Sequence, residues 1–169
     1  GCRIIYVARN PKDAATSFYS ADVKYETSAG RILRRVSCQF YYTPYWTNVL
    51  EFWKIRHEPN ILWNTNENMK KDLRAVIRKT ATFLGRIVTE EEVEQLEEHF
   101  SFSSMRQKPA TNYDGPVQRL RSTTGLPPVP QELASVRKGK VGAFRQQTDH
   151  RFDRWMQDNI RGTGYDGPI

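Results

Sequence analysis

The stretch RIIYVARNPKD, residues 3–13, predicts a strand, a tight turn and a helix in immediate succession. Its β-branched and aromatic run is typical of an inner strand that is covered on both faces of a sheet. Asn10 can cap a helix, and Pro11 suits the first helical position because its missing N–H would have no partner there. We expect the helix to run to about Ser20, which places its N-terminus at the carboxyl edge of a sheet, where open α/β folds bind anions and nucleotides.

Length and composition indicate one globular domain. The chain has 169 residues, 38% of them hydrophobic and 27% charged, and no apolar run approaches the roughly 18 residues of a membrane span. Cys2 and Cys38 have neither zinc-knuckle spacing nor the density of a disulfide scaffold, which favours a soluble, cytoplasmic protein. The net charge of +7 favours an anionic partner. Because the chain opens at Gly1 directly in a strand, we expect residues 1–169 to be the later part of one longer domain.

Apolar spacing and end signals predict the remaining elements: a helix over 46–57, a short strand over 61–63, and helices over about 67–84, 89–99 and 149–160. Gly85 is placed to end the helix before it, and Thr89 with Glu92 forms a capping box at the start of the next one. Residues 24–38 are polar and predict a surface excursion. Helical periodicity fades and prolines accumulate after Ser101, which predicts a long loop over about 101–147, typical of a lid or a binding loop.

Several common motifs of nucleotide-binding and catalytic sites are absent, or match only in their residue types and not in their structural context. Glycines within 162–167 have the dinucleotide spacing, but no strand precedes them. Gly139-Lys140 lacks the upstream glycine and the following Ser or Thr of a phosphate loop. The six glutamates between 90 and 98 are typical of a solvated helix start. The three histidines form neither a triad nor an HExxH pair, so we predict no metal site.

Two sets of residues have the chemistry of phosphate ligands. The segment RKGK, residues 137–140, places three cations around a glycine, although the same letters also describe a solvated basic turn. Arg9 ends a buried strand, where an unpaired charge is costly, so it should meet a carboxylate or an anionic ligand. Ser17 follows it in the predicted helix and, taken alone, is an ordinary helical serine.

Taken together, these motifs resemble those of the cytosolic sulfotransferases. The matching motifs occur in the family's order: RIIYVARNPKD with Ser17 eight residues after Arg9, Phe100-Ser101-Phe102 with Met105, Lys108-Pro109 with Asn112-Tyr113, and Arg137-Lys138-Gly139. The resemblance extends over nearly the whole chain. It implies a three-layer α/β/α domain with a parallel sheet, similar to the phosphate-loop kinases in architecture, whose first strands precede this chain.

The resemblance also implies a reaction and a site. In that family a sulfuryl group passes from 3'-phosphoadenylyl sulfate (PAPS) to a hydroxyl or amine of a small acceptor, leaving adenosine 3',5'-bisphosphate (PAP). By resemblance, the 3'-phosphate would be held by Arg9, Ser17, Arg137, Lys138 and Gly139. The segment that lines the adenine would contain Asn66, Phe100, Ser101, Phe102 and Met105, with Phe102 as the stacking surface.

The sequence departs from the family at several points. Asn66 stands where the family has an adenine-contacting tyrosine, and Phe100 replaces a common threonine. The phosphosulfate-loop lysine and the general-base histidine of the family precede Gly1, so we assign no catalytic residue and expect little activity from this chain alone. The family's dimer segment is not matched, which leaves homodimerisation open.

Two other functions stay open at this point. The positive charge and the aromatic residues Phe18, Tyr19, Tyr41 and Tyr42 would also suit a non-catalytic nucleotide-binding or RNA-binding module. A fragment of a nucleotide kinase would share the architecture and would prefer ATP to PAP. Phenols, steroids, alcohols and amines are not separated as acceptors by these residues, and neither a membrane nor a nucleic acid is the expected partner.

Overall fold

The computed structural model describes residues 1–24, 44–108, 114–123, 125, 127–128 and 150–169. The elements in these ranges are β1 (Ile4–Ala8), α1 (Pro11–Lys24), α2 (Tyr45–Lys54), β2 (Ile61–Thr65), α3 (Asn66–Lys71), α4 (Leu73–Phe83), α5 (Glu90–His99), α6 (Phe102–Gln107), α7 (Asp114–Thr123) and α8 (His150–Ile160). The chain is therefore an α/β protein, as the sequence predicts. The predicted excursion over 24–38 and the RKGK segment lie outside the described residues.

The two strands pair in parallel, with a register that runs from Ile4 opposite Ile61 to Ala8 opposite Thr65. A parallel pair requires a crossover connection, and α1 and α2 lie on the chain between the strands. The expectation that β1 is covered on both faces is wrong for the described residues, since the side chains of Ile5 and Val7 remain 42% and 46% exposed. The contact with α2 lies on the opposite face of β1, where the Tyr6 ring meets Phe52.

That covered face of β1 packs on aromatic rings. The ring of Tyr6 stacks on Phe52 of α2 and on Trp63 of β2, with centroid distances of 4.2 and 4.9 Å. Stacked pairs at such distances add to the free energy gained by burying the rings. β1 is thus fixed against β2 and against α2, the helix that precedes β2.

The main core lies between α2 and α8. The predicted apolar stripe of α2 is confirmed, because Trp46 and Val49 are buried there against Met156 of α8. Tyr165, beyond the end of α8, packs edge-on against Trp46 with a centroid distance of 5.5 Å. The predicted last helix is also confirmed, and its burial explains why a helix forms so close to the end of the chain.

An ion pair connects the last helix to the first. Lys12, in the first turn of α1, pairs with Asp153 in the first turn of α8. The ammonium side is largely buried, with 14% of the Lys12 side chain exposed. The starts of the two helices are therefore held together although they lie at opposite ends of the chain.

The predicted single helix over 67–84 is wrong, because the structure has two helices there. Asp72 has an extended backbone conformation with φ of −152°, and its carboxylate accepts a hydrogen bond of 2.9 Å from the N–H of Ala75. An aspartate in this conformation is a strong N-cap, so it ends α3 and begins α4. The apolar stripe continues through the break, which is why the periodicity alone does not show it.

The predicted ends of α4 and α5 are confirmed. Gly85 has a φ of +71°, and the N–H groups of Gly85 and Arg86 donate to the carbonyls of Thr82 and Ala81. This pattern is a Schellman motif. At the next helix, Thr89 and Glu92 form both hydrogen bonds of the capping box.

The glutamates of α5 pack against arginines of α4. Glu90 pairs with Arg74 and Arg78, and Glu97 pairs with Arg74. These pairs are exposed, so each contributes little to stability, whereas Val93 beneath them is completely buried. The reading of this segment as a solvated, structural helix therefore fits the contacts that it makes.

The predicted loop over about 101–147 is wrong in its first part, which contains α6 and α7. The Ser101 hydroxyl accepts a hydrogen bond of 3.1 Å from the N–H of Ser104 and so caps α6. Pro116 falls in the first turn of α7, where a proline costs no helical hydrogen bond. Smaller differences are the end of α1 at Lys24 and the end of α2 at Lys54. Within the described ranges, no helix has the length and apolar character to cross a membrane.

We predict that Gly85→Ala lowers the free energy of unfolding by about 1 to 2 kcal/mol, because an alanine at positive φ is strained. A Cβ at Gly85 would meet the Arg3 guanidinium at an ordinary contact distance of 3.7 Å, so no steric clash adds to this cost. Urea unfolding measures the change.

Gly115→Ala is the matched control, because Gly115 lies in α7 without a positive φ and has open space around its Cβ position. Here alanine should leave stability unchanged or raise it by up to about 1 kcal/mol. Equal effects of the two substitutions would contradict the conformational explanation.

Candidate functional site at the carboxyl edge of the sheet

The site begins where the two parallel strands end side by side. Ala8 is the register partner of Thr65, so the next residues, Arg9 and Asn66, leave the sheet at the same edge. The carboxyl edge of a parallel sheet is where α/β proteins bind ligands. Two of the predicted site residues, far apart in sequence, are therefore brought to one edge.

The first helix starts at this edge with a capped N-terminus. The side-chain oxygen of Asn10 accepts hydrogen bonds from the N–H groups of Lys12 at 2.9 Å and of Asp13 at 3.4 Å. The predicted role of Asn10 as a cap is confirmed. Asp13 and Ala14 are buried. Ser17 follows Asp13 by four residues and Ala14 by three, so it lies on the same face of α1.

The peptide group between Arg9 and Asn10 is bound on both sides. Its N–H donates a hydrogen bond of 2.9 Å to a carboxylate oxygen of Glu67, the second residue of α3. Its carbonyl oxygen accepts a hydrogen bond from the hydroxyl of Tyr45, the first residue of α2. Neither Tyr45 nor Glu67 is among the residues that the sequence predicts for the site. The strand register could have indicated Glu67, while no local signal points to Tyr45.

Three buried polar atoms near this edge lack partners among the described residues, and one of them is the Tyr165 hydroxyl. Within the described residues, neither the Nε of Arg9 nor the second carboxylate oxygen of Glu67 makes a hydrogen bond. A buried donor without a partner costs free energy, and the cost is greater for a charged group. An anion beside Arg9 would supply the missing acceptor.

Tyr45 and Tyr165 lie near this edge in a low-dielectric environment, and Tyr6 lies further back, in the middle of β1. The Tyr6 hydroxyl donates a hydrogen bond of 2.7 Å to Asn48, and burial raises its pKa to about 12. Burial, aided by the nearby Tyr165, Tyr6 and Glu67, raises the pKa of Tyr45 further, although Arg9 opposes the shift. Burial likewise raises the pKa of Tyr165. These hydroxyls therefore stay neutral and remain donors over the whole physiological range of pH.

The predicted adenine segment lies on and just before α6. The Lys70 ammonium stands 5.5 Å from the ring centroid of Phe102, which connects α6 to α3. Phe100 is 47% exposed, and its ring meets His99 edge-on. The Ser101 hydroxyl is used as the cap of α6, so the structure gives it a local role of its own.

A cavity of about 760 Å³ runs along β2 and borders this edge. Its walls include Asn10, Thr65 and Glu67 at one end and Arg56 and His57 at the other. Among the described residues, none of those predicted to bind the donor lines it. Of those residues, Arg137, Lys138 and Gly139 lie outside the described residues. The cavity therefore lies beside the Arg9 site, and Asn10 and Glu67 belong to both.

A capped helix start and an arginine whose buried Nε has no partner among the described residues, both at the carboxyl edge of a parallel sheet, are features typical of anion-binding and nucleotide-binding proteins. Comparison with known proteins defines the family more closely. A family model described as "Sulfotransferase domain" matches residues 1–164. The chain therefore belongs to the sulfotransferase family.

Individual relatives agree with this assignment. Luciferin sulfotransferase of Photinus pyralis is 33% identical over 180 residues, which cover 96% of this chain and 45% of that protein. Sulfotransferase 1E1 of Bos taurus is 26% identical, with 96% and 56% covered. The chain spans about half the length of these relatives.

Solved structures show the same fold. Retinol dehydratase in a complex with retinol and PAP has a TM-score of 0.77 and 28% identity, covering 98% of this chain and 50% of that one. Mouse sulfotransferase SULT7A1 complexed with PAP has a TM-score of 0.71 and 25% identity, covering 95% and 59%. The predicted sulfotransferase fold is thereby confirmed.

We predict that the protein loses stability as pH rises from 10 to 12, since the pKa of Tyr6 is raised from 10.0 to about 12 in the folded state. The unfolded state then releases its proton first, so the stabilisation is complete below pH 10 and is lost as pH approaches 12. Tyr6→Phe should make this decline shallower, as measured by urea unfolding at several values of pH. An equally steep decline in the variant would contradict the prediction.

Proposed function

We propose that this chain supplies the 3'-phosphate and adenine half of a PAPS site, in a sulfotransferase that transfers a sulfuryl group to a hydroxyl or amine of a small acceptor. The observation that carries the proposal is the buried Nε of Arg9, a donor without a partner at the carboxyl edge of the sheet. PAP in the solved structures of two relatives supports the choice of nucleotide. A chain that only binds nucleotide or RNA is the alternative.

The phosphate half of the site suits a dianion. A guanidinium can donate two parallel hydrogen bonds to phosphate oxygens, and a hydroxyl such as that of Ser17 can donate a third. We propose that Arg137, Lys138 and the Gly139 backbone complete the set. The proposed ligands thus come from the two parts of the chain that carry the most specific sulfotransferase motifs.

The adenine half would use α6 and its approach. Phe102 offers an aromatic surface on which a purine could stack, and the Lys70 ammonium lies 5.5 Å from the centroid of its ring. We propose that Phe100, Ser101 and Met105 line the base and that Asn66 contributes its amide from the edge of the sheet. Because Asn66 has a small amide where the family has a tyrosine ring, the adenine would stack less well on the Asn66 side.

Sulfuryl transfer needs two further functions, a base that takes the acceptor proton and a cation that stabilises the departing phosphate. The described residues that we propose for the site bind and orient the donor and perform neither of these steps. We therefore propose that the isolated chain of 169 residues has little or no transfer activity. Sulfation by this chain alone, followed with labelled donor, would contradict that proposal.

The names of relatives suggest the range of acceptors. They include a luciferin sulfotransferase, an amine sulfotransferase of Oryctolagus cuniculus and a retinol dehydratase solved with retinol or androsterone. We propose a small hydroxylic or amine acceptor and a cytoplasmic reaction. Phe18 and Tyr19 follow Ser17 on α1 and are proposed neighbours of that acceptor.

We predict that Arg9→Ala weakens PAP binding about 10- to 100-fold, because hydrogen bonds to charged groups contribute about 1.5 to 3 kcal/mol. Binding of adenosine 5'-phosphate, which lacks the 3'-phosphate, should change much less. Calorimetric titration of the full-length protein measures both affinities, and their ratio reports recognition of the 3'-phosphate.

Arg3→Ala is the matched control, because it removes the same charge from the exposed, opposite end of β1. It should leave the ratio unchanged. An unaltered ratio in Arg9→Ala would contradict the proposed site. Tight oligonucleotide binding without preference for PAP would favour the RNA-binding alternative instead.

A further inference from the structure

The peptide that joins Arg9 to Asn10 is held by side chains from two different helices. Glu67 accepts from its N–H at 2.9 Å, and Tyr45 donates to its carbonyl oxygen. Both hydrogen bonds are partly buried and connect residues 57 and 36 positions apart. A single peptide plane is therefore fixed on its two opposite edges by parts of the chain that are remote in sequence.

The orientation of this plane sets ψ of Arg9, and the backbone angles of a residue limit the rotamers that its side chain can adopt. Rotation of the peptide changes ψ of Arg9 and φ of Asn10 together, and these two angles are the only soft backbone torsions that adjoin it. Arg9 comes directly after the last register pair of the sheet, so the strand ladder does not fix this peptide. Instead, Tyr45 and Glu67 hold this peptide, at the point where the chain turns from strand into helix.

The Glu67 carboxylate selects the observed orientation of the peptide, whereas the Tyr45 hydroxyl could also accept a hydrogen bond from an N–H. An ionised glutamate only accepts hydrogen bonds, whereas a neutral tyrosine hydroxyl supplies a donor. A flipped peptide would turn its carbonyl oxygen toward the carboxylate and its N–H toward the hydroxyl. A tyrosine hydroxyl is protonated at neutral pH even at its ordinary pKa of about 10, and burial raises the pKa of Tyr45 further, so this donor persists.

Both side chains are themselves firmly placed. The Tyr45 ring meets Trp46 edge-on with a centroid distance of 5.3 Å, and Trp46 is buried in the main core. Glu67 lies in the first turn of α3, which Thr65 caps by accepting from the N–H of Asn68. Rigid supports of this kind are what a preorganised binding site requires.

We propose that Tyr45 and Glu67 are positioning residues for recognition of the 3'-phosphate, acting on Arg9 through the Arg9–Asn10 peptide. This inference rests on the proposed function, since it gives Arg9 the phosphate as its ligand. Neither side chain needs to touch the nucleotide. Their effect is to hold the guanidinium in one direction before the nucleotide binds, so that less conformational entropy is lost on binding.

The decisive variant is Tyr45→Phe in the full-length protein, because it removes the hydroxyl and retains the ring in the core. We expect PAP to bind about threefold to tenfold more weakly, as for the loss of one ordinary hydrogen bond. Adenosine 5'-phosphate should bind as before. The ratio of the two affinities is the readout, since a general loss of stability would weaken both ligands alike.

Tyr6→Phe is the matched control. It also removes a partly buried tyrosine hydroxyl, whose 2.7 Å hydrogen bond goes to Asn48 and leaves the Arg9–Asn10 peptide untouched. We expect the affinity ratio of this variant to equal that of the parent protein. Glu67 offers a second approach: Glu67→Ala should lower the ratio, and Glu67→Gln, which keeps an acceptor oxygen, should restore most of it.

A double variant connects the effect to Arg9. In an Arg9→Ala background, Tyr45→Phe should lower the PAP affinity no further, because the group that it positions is gone. An unchanged ratio in both Tyr45→Phe and Glu67→Ala would overturn the inference while leaving the proposed function intact. If the parent protein binds both nucleotides equally, the proposed function fails and the inference fails with it.

Discussion

The parallel pairing of β1 with β2 is the constraint on which the site depends. It places the residues after Ala8 beside the residues after Thr65, although more than fifty positions separate them. Arg9, the cap of α1 and the start of α3 then share one edge because the strands end together. A shift of register would separate the Asn10 N–H from Glu67 and would leave the turn without its support.

The burial of aromatic rings explains why this pairing is stable in so small a sheet. Tyr6 lies between Phe52 and Trp63, and Trp53 meets the ring of Trp63 edge-on. Large rings remove much apolar surface from water, and their edge-on and stacked contacts add to that gain. The edge of the sheet therefore rests on a rigid aromatic layer, whereas its polar groups remain available for a ligand.

The sequence predicts a structural feature of this protein well when that feature depends on residues that are close together in the chain. The cap at Asn10, the capping box at Thr89 and the end of α4 at Gly85 are local, since each depends on residues only a few positions apart, and all three are confirmed. The break at Asp72 was not predicted because the apolar stripe runs through it without a change of phase. Sequence motifs indicate Arg9, and the structure leaves its buried Nε without a partner among the described residues. Tyr45 was not predicted, because its role exists only once α2 packs next to the end of β1.

The contacts of the last helix also have a consequence for how the chain folds. Lys12 pairs with Asp153, and the Trp53 indole N–H donates to the Gly164 carbonyl across 111 positions. Contacts between such distant residues carry a large loop-closure entropy and slow folding. During synthesis, Lys12 and Trp53 leave the ribosome long before Asp153 and Gly164, their partners in these contacts. The start of α1 and the aromatic layer beside the arginine edge can therefore complete their packing only after α8 and Gly164 have been made, and until then their apolar surface is exposed to aggregation.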